Sequence, residues 1–355
     1  MHRKQILTST SIALIACALM MTPARAQAPS NVINGETIGS PELVKAACAE
    51  GAAVLYTAQG DADERQVVKE FEKDFPCIKV SVISLVTGRQ YERIQTEATA
   101  GQTQADVSLV TDESIAKEMI DKKLVRPWTP PSEAKFPPNT KNPGWWYAGS
   151  NTYVYPVYNS DLVSDAEAPK TWKDLLDPKW KGQIGSPAVA IGGTAWILYY
   201  FMLKTQGEDY VRKFAAQQPK LFSSFQPMGM GVARGEQKIA LLANVVDYPL
   251  RVSQGAPIKP VYPPEGLPHI NYPIMLLDKS PHPKAGELLG NWYLSKRGQG
   301  ALVAVRGVNS VRDDVPPAKG NPPDSSLKLW APANKDIVDN FSSVTTTVGS
   351  ILGNH

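Results

Sequence analysis

The feature that most constrains this chain is an unbroken alternation of apolar strands and amphipathic helices between residues 41 and 122. Ser40 suits an N-cap, Pro41 the first helical position and Gly51 a helix stop, so 41–50 reads as a helix. Ala52–Thr57 is a continuous apolar run, the signature of a strand buried on both faces. A helix is expected from about Glu64 to Asp74, with Val67, Val68 and Phe71 on one side and Pro76 ending it. Ile78–Ile83 alternates as a strand, Gln90–Ala100 reads as a helix, Asp106–Val110 as a strand and Ser114–Lys122 as a helix. Strand–helix order of this kind implies a parallel sheet with right-handed crossovers.

The chain continues well past this unit. At 355 residues it exceeds one ordinary core and suggests two lobes. A Pro-rich passage from 127 to 144 reads as a surface crossing between them, anchored by Trp128, Phe136, Trp145 and Trp146. Beyond it, strands are expected at Tyr153–Tyr158, Lys238–Ala243, Ile258–Tyr262 and 274–277. Helices are expected at Thr171–Leu176, Thr194–Thr205, Glu208–Gln217, shortly before Gly235, and at Pro283–Ser295. The 37 basic residues nearly balance 34 acidic ones, which argues against an electrostatic nucleic-acid binder.

Residues 1–26 have the layout of a secretory signal: a basic start at Arg3-Lys4, an apolar stretch from Ile6 to Met21, and an Ala24-Arg25-Ala26 cleavage site. The stretch falls short of the ~20 residues a membrane span needs. Leu14-Ile15-Ala16-Cys17 resembles a lipoprotein box, but the apolar run continues beyond it, so a soluble exported protein is favoured over one lipidated on Cys17. Arg3, Lys4 and Arg25, with no acid among them, account for the whole formal charge of +3. The mature chain is therefore neutral. It keeps Cys48 and Cys77, an even pair that reads as a disulfide in an oxidising compartment.

No catalytic or metal-binding constellation stands out. His2 leaves with the signal, His355 is terminal, and His269 and His282 lie in Pro-rich loops. His-Glu-x-x-His, Gly-x-Ser-x-Gly and Walker patterns are absent from the sequence. Gly229–Gly235 has the wrong spacing for a dinucleotide fingerprint. No cofactor is expected. An exported two-lobed α/β chain without such a site fits ligand capture in a cleft.

Several segments in order give a more specific indication: Val54-Leu55-Tyr56-Thr57-Ala58, Thr87-Gly88-Arg89, Ala105-Asp106-Val107, Gly235-Glu236 and Tyr262-Pro263-Pro264-Glu265-Gly266. The most specific is Pro169-Lys170-Thr171-Trp172-Lys173-Asp174-Leu175-Leu176-Asp177-Pro178-Lys179-Trp180-Lys181-Gly182. With them the chain resembles periplasmic solute-binding proteins of ABC importers, in the extracellular solute-binding family 1 branch that includes ferric-ion binders. The resemblance implies an α/β, type II periplasmic-binding-protein fold, with two mainly parallel lobes flanked by helices and a ligand cleft between them. The lobes would be 27–130 with 268–312, and 131–267 with 313–355. It also implies a periplasmic monomer that passes a small solute to an inner-membrane permease and its ATPase.

Candidate cleft residues sit where strands end and helices begin. Tyr56, Thr57 and Gln59 follow the first strand; Gly88 and Arg89 open a helix; Thr111 and Asp112 end the third strand. Gly192, Gly193 and Thr194 precede a helix whose start favours an anion. Tyr155 is a candidate for an aromatic wall. Asn244, Asp247 and Tyr248 occupy the segment where the resembling iron binders carry adjacent tyrosines. A single tyrosine here disfavours iron and favours an organic, anionic solute. Ferric-ion binding through Tyr248 and Asp247 is the second reading. An exported enzyme using Asp112, Asp247 or Glu265 is the third.

Overall fold

The computed structural model describes residues 29–353 apart from 112, 192 and 333. The signal, Cys17, Asp112 and Gly192 lie outside the described residues. A short ribbon, β1 (Val32–Ile33) and β2 (Glu36–Thr37), leads into α1 (Pro41–Glu50), β3 (Ala52–Thr57), α2 (Asp61–Asp74), β4 (Lys79–Ser84), α3 (Thr87–Thr99), β5 (Val107–Leu109) and α4 (Glu113–Asp121). The expected alternation is present. The Ser40 hydroxyl caps α1 through the Leu43 amide at 3.1 Å, and Gly51 ends it at φ 70°. β3 lies parallel to both β4 and β5. Cys48 and Cys77 form a disulfide that ties the end of α1 to the start of the β4 segment.

The following elements are β6 (Lys141–Asn142), β7 (Trp146–Asn159), β8 (Ile184–Pro187), α5 (Gly193–Phe201), α6 (Glu208–Ala216), β9 (Lys220–Phe222), α7 (Phe225–Ala233), β10 (Ile239–Ala243) and α8 (Asn244–Tyr248). Then come β11 (Ile258–Pro260), β12 (Leu267–Leu276), α9 (Pro283–Tyr293), α10 (Lys296–Arg306), β13 (Leu329–Trp330) and α11 (Asn334–Leu352). No helix of the described residues is long and apolar enough to cross a membrane.

Two long strands organise these pieces. β7 and β12 pair antiparallel from His269–Tyr153 to Ile274–Tyr147, with a register shift at Tyr272/Pro273. Among the described residues the sheet runs β4-β3-β5-β12-β7-β10-β8-β9. β5 joins the late part of β12, and β10 joins the late part of β7. Each long strand thus serves a first half built on β3–β5 and a second half built on β8–β10.

The Pro-rich passage does not itself make the crossing. Trp128, Phe136 and Tyr147 pack edge to face, and Trp128 Nε1 donates to Asn291 of α9 at 2.9 Å. This buried aromatic cluster holds the passage on the first half; the chain enters the second half along β7 and again after α10, where α11 packs on α5 and α6.

The Trp172–Trp180 motif is architectural. Trp172 is fully buried; its indole N–H donates to the Gly266 carbonyl at 2.8 Å and its amide to Glu265 at 3.1 Å. It therefore fixes the segment that feeds β12.

Candidate ligand site

Successive side chains of a strand point to opposite faces, and paired antiparallel residues share one. The pairs Ile270–Thr152 and Tyr272–Ser150 therefore lie on one face of the β7–β12 ribbon, and His269–Tyr153 and Asn271–Asn151 on the other. The two faces meet different surroundings.

On the first face, Thr152 Oγ1 donates to Asn244 Oδ1 at 2.6 Å, and the Tyr153 amide donates to the same oxygen at 3.3 Å. These bonds leave Asn244 Nδ2 buried and unpartnered. Burial pushes the Tyr272 phenol up, and Thr194 and Thr152 beside it partly oppose this. Thr194 stands in the first turn of α5, where unsatisfied amides and the helix dipole favour negative charge.

The same face receives a buried cation from the first half. Arg306, the last residue of α10, is 6% exposed, which leaves almost no water to satisfy it. Its Nη2 donates to Glu64 Oε2 at 2.6 Å and to the Tyr293 hydroxyl at 3.4 Å. Nε and Nη1 are buried without a partner among the described residues. Burial opposes its charge, but Tyr293 and Glu64 outweigh it and hold the guanidinium ionised. Thr57 Oγ1 donates to Glu64 Oε2 at 3.0 Å and accepts from the Gln59 amide at 3.1 Å. Gln59 Nε2 is likewise buried and unpartnered. Donors from both halves are thus left over on one side of the ribbon.

Immediately after Arg306, Gly307 caps α10 at φ 63°. The Tyr248 ring lies directly against it, in the space a Cβ would occupy. α10 packs on α2 in the first half, whereas α8 packs on β10 in the second. Tyr248 therefore bridges the halves.

The structure divides the sequence-derived candidates. Thr57, Gln59, Gly193, Thr194 and Asn244 belong to the network just described or border it. Tyr56 does not: alternation turns it beneath α3, where its hydroxyl donates to Glu97 at 2.7 Å and Arg93 lies 4.8 Å from the ring. Gly88 and Arg89 are exposed in the first turn of α3, which starts earlier than expected. Thr111 is tied to Thr87, its amide donating to Thr87 Oγ1 at 3.1 Å. Tyr155 and Asp247 sit on the opposite face and are committed to each other: the phenol donates to Asp247 Oδ2 at 2.8 Å, and Arg251 Nε donates to the same oxygen at 3.2 Å. Burial raises the Asp247 carboxyl, with Arg251 the main opposing influence.

Sequence reasoning missed Arg306, Glu64, Thr152 and Tyr272. Glu64 and Arg306 are separated by 242 positions, so only the folded arrangement brings them together. The signals available were Ser295 as a cap and Gly307 as a stop, which mark α10 and hence the position of Arg306 at its end.

A family model described as bacterial extracellular solute-binding protein matches residues 103–330. The chain belongs to this family. It is a solute-binding protein of the kind that serves ABC transporters. A putative 2-aminoethylphosphonate-binding periplasmic protein of Salmonella typhimurium is 26% identical over 323 residues, covering 83% of this chain and 90% of that protein. Two solved structures share the fold. Iron-bound HitA from Pseudomonas aeruginosa superposes with a TM-score of 0.72 at 20% identity, covering 84% of this chain and 99% of HitA. AfuA from Actinobacillus pleuropneumoniae, with fructose-6-phosphate bound, gives 0.71 at 21% identity, covering 86% and 99%. The type II periplasmic-binding-protein fold expected from the sequence is the fold observed.

Proposed function

We propose that this chain captures a small organic anion between its two lobes in the periplasm and hands it unchanged to an inner-membrane permease driven by its ATPase. The observation that carries this reading is Arg306, a buried guanidinium with two unpartnered N–H groups on the face that also receives Thr194 at the start of α5. An anion placed there gains charge-assisted hydrogen bonds in a site largely closed to water. Asn244 Nδ2 and Gln59 Nε2 add neutral donors. The 2-aminoethylphosphonate for which a relative is named and the fructose-6-phosphate bound to a fold neighbour support phosphonates and phosphate esters as the first compounds to test. Lobe movement would bend the β7–β12 ribbon, opening parting and closure restoring the contact of Tyr248 in α8 with Gly307 at the end of α10.

Iron fits these residues less well. Asp247 is already held by Tyr155 and Arg251, and Tyr248 packs on Gly307.

Thermal melts of the mature chain with inorganic phosphate, 2-aminoethylphosphonate, fructose-6-phosphate and ferric citrate test the reading. An anion at a hundred times its Kd should stabilise the folded state by about 2.7 kcal/mol. Stabilisation by iron alone, with a tyrosinate colour, would replace the anion reading. No response to any anion would remove it. Recovery of the ligand chemically intact after incubation checks capture without reaction.

A further inference from the structure

We propose that the other face of the β7–β12 ribbon holds a second site, one that takes a small organic cation bearing several N–H donors, a primary ammonium or a guanidinium. A cavity of about 250 Å³ opens there, bounded by Asn139, Asn151, His269, Asp313 and Asp324 among others. A second cavity of about 240 Å³ adjoins it and shares Asp313, Asp324 and Ser325. At ~30 Å³ per water, the first alone has room for roughly eight waters or a molecule of comparable bulk.

The polar groups lining this space define the occupant. His269 and Asn151 are each 2% exposed, yet both His269 ring nitrogens and Asn151 Oδ1 have no partner among the described residues. Buried polar atoms normally find one. Asp324 is better served but only by neutral donors: Asn151 Nδ2 at 3.1 Å, Asn309 Nδ2 at 2.7 Å and the Tyr153 hydroxyl at 3.4 Å. No lysine or arginine lines the first cavity. In the adjoining one, Arg312 is spent on Asp314 at 2.9 Å and Glu36 at 2.7 Å. Asp313 and Asp324 therefore present negative charge that no lining cation balances, and this excludes an anion.

A bare metal ion is also a poor match. Among the described residues no group of three or more His, Cys, Asp or Glu side chains is placed to hold one. Water can satisfy these acceptors but leaves the carboxylate charge unbalanced; a cation that is itself a multiple hydrogen-bond donor answers Asn151 Oδ1, a histidine nitrogen and the two carboxylates together.

The test uses the mature chain and isothermal titration with putrescine, ethanolamine and guanidinium. Tetramethylammonium serves as a cation without N–H donors, and calcium and magnesium as metal ions. At least one N–H cation should bind saturably at one per chain, at least tenfold more tightly than tetramethylammonium. Asp313→Asn, at an exposed position, should weaken it severalfold without disturbing the fold, and Asp324→Asn more strongly. Arg306→Lys should leave it unchanged, because that residue belongs to the other face. Three results would overturn the site: no saturable binding by any N–H cation, equal binding of tetramethylammonium, or affinity indifferent to Asp313→Asn and Asp324→Asn. Tighter binding of calcium or magnesium than of every amine would reassign it to a metal.

Discussion

One face of the β7–β12 ribbon carries Thr152 and Tyr272, and the other carries Asn151 and His269. Neighbouring positions on the same strands therefore enter opposite chemistry. Toward Thr152, the polar atoms left over are chiefly donors: Arg306 Nε and Nη1, Asn244 Nδ2 and Gln59 Nε2, with Glu64 Oε1 the exception. Toward Asn151, acceptors and acids prevail: Asn151 Oδ1, Asn271 Oδ1, Asp247 Oδ1 and the carboxylates of Asp313 and Asp324. Residues 27–355 carry as many basic as acidic side chains, yet the molecule separates its hydrogen-bonding surplus across one strand thickness. A protein with no overall charge to attract a solute can still select by sign, because the selection is local.

The most severe way to break this contrast is to remove the cation. Arg306→Met deletes two charge-assisted donors worth about 1.5–3 kcal/mol each, so anion affinity measured by titration calorimetry should fall at least roughly a hundredfold. The substitution also leaves Glu64 buried without its partner, a cost of about 3–5 kcal/mol in folding stability. Arg306→Lys preserves the charge and separates the two effects: it should stay folded and still bind at least tenfold more weakly, since a lysine cannot present two fixed N–H vectors. Affinity equal to wild type in Arg306→Lys would show that the donor face is not the anion site.

The opposite face can be probed by protons. Burial lowers His269 from its ordinary 6.5 to about 4. As pH falls, the unfolded chain therefore takes up the proton first. The stability associated with neutral His269 is fully present above about pH 6.5 and is lost progressively down to about pH 4, about 3 kcal/mol in all. Urea melts at pH 7 and 4.5 should show the decline, and His269→Gln should flatten this part of it.

Asn244→Asp is a smaller and sharper change. It keeps the acceptor for Thr152 and the Tyr153 amide but replaces the free donor with a second acceptor. Anion affinity should drop about tenfold, equivalent to ~1.4 kcal/mol. The smallest effect is expected from Tyr155→Phe. Loss of its bond to Asp247 should cost about 1 kcal/mol of stability and leave anion affinity unchanged, because the two lie on different faces.

Much of the scaffold was legible because local chemistry and tertiary structure agree. Ser40, Pro41 and Gly51 bracket α1 as their conformational preferences require, and the apolar run at 52–57 is indeed a central strand. The expected strand at 274–277 is only the end of β12, which extends back to Leu267 and carries Pro273 at its register shift. β8 gave little signal, since Gly185 and Pro187 are weak strand formers. A Cβ at Gly185 would come within 3.1 Å of the Met228 side chain, a tight contact. α10 was missed because Gly298 and Gly300 weaken its helical pattern, and with it went Arg306.

The site was less legible than the scaffold for a simple reason. Sequence places residues near strand ends but does not say which side chains share a face. Tyr56 and Thr57 are adjacent, yet one packs beneath α3 and the other joins the Glu64–Arg306 network. Asn244 and Asp247 are one helical turn apart and serve opposite faces of the ribbon.

The contact of Tyr248 with Gly307 has a practical consequence. Any L-residue at 307 would need to displace that ring, so Gly307→Ala is a one-methyl wedge driven between the lobes. The substituted protein should stay expanded in small-angle scattering whether or not ligand is present. It would serve as a calibrated open reference for any fluorescent reporter that reads ligand through lobe separation.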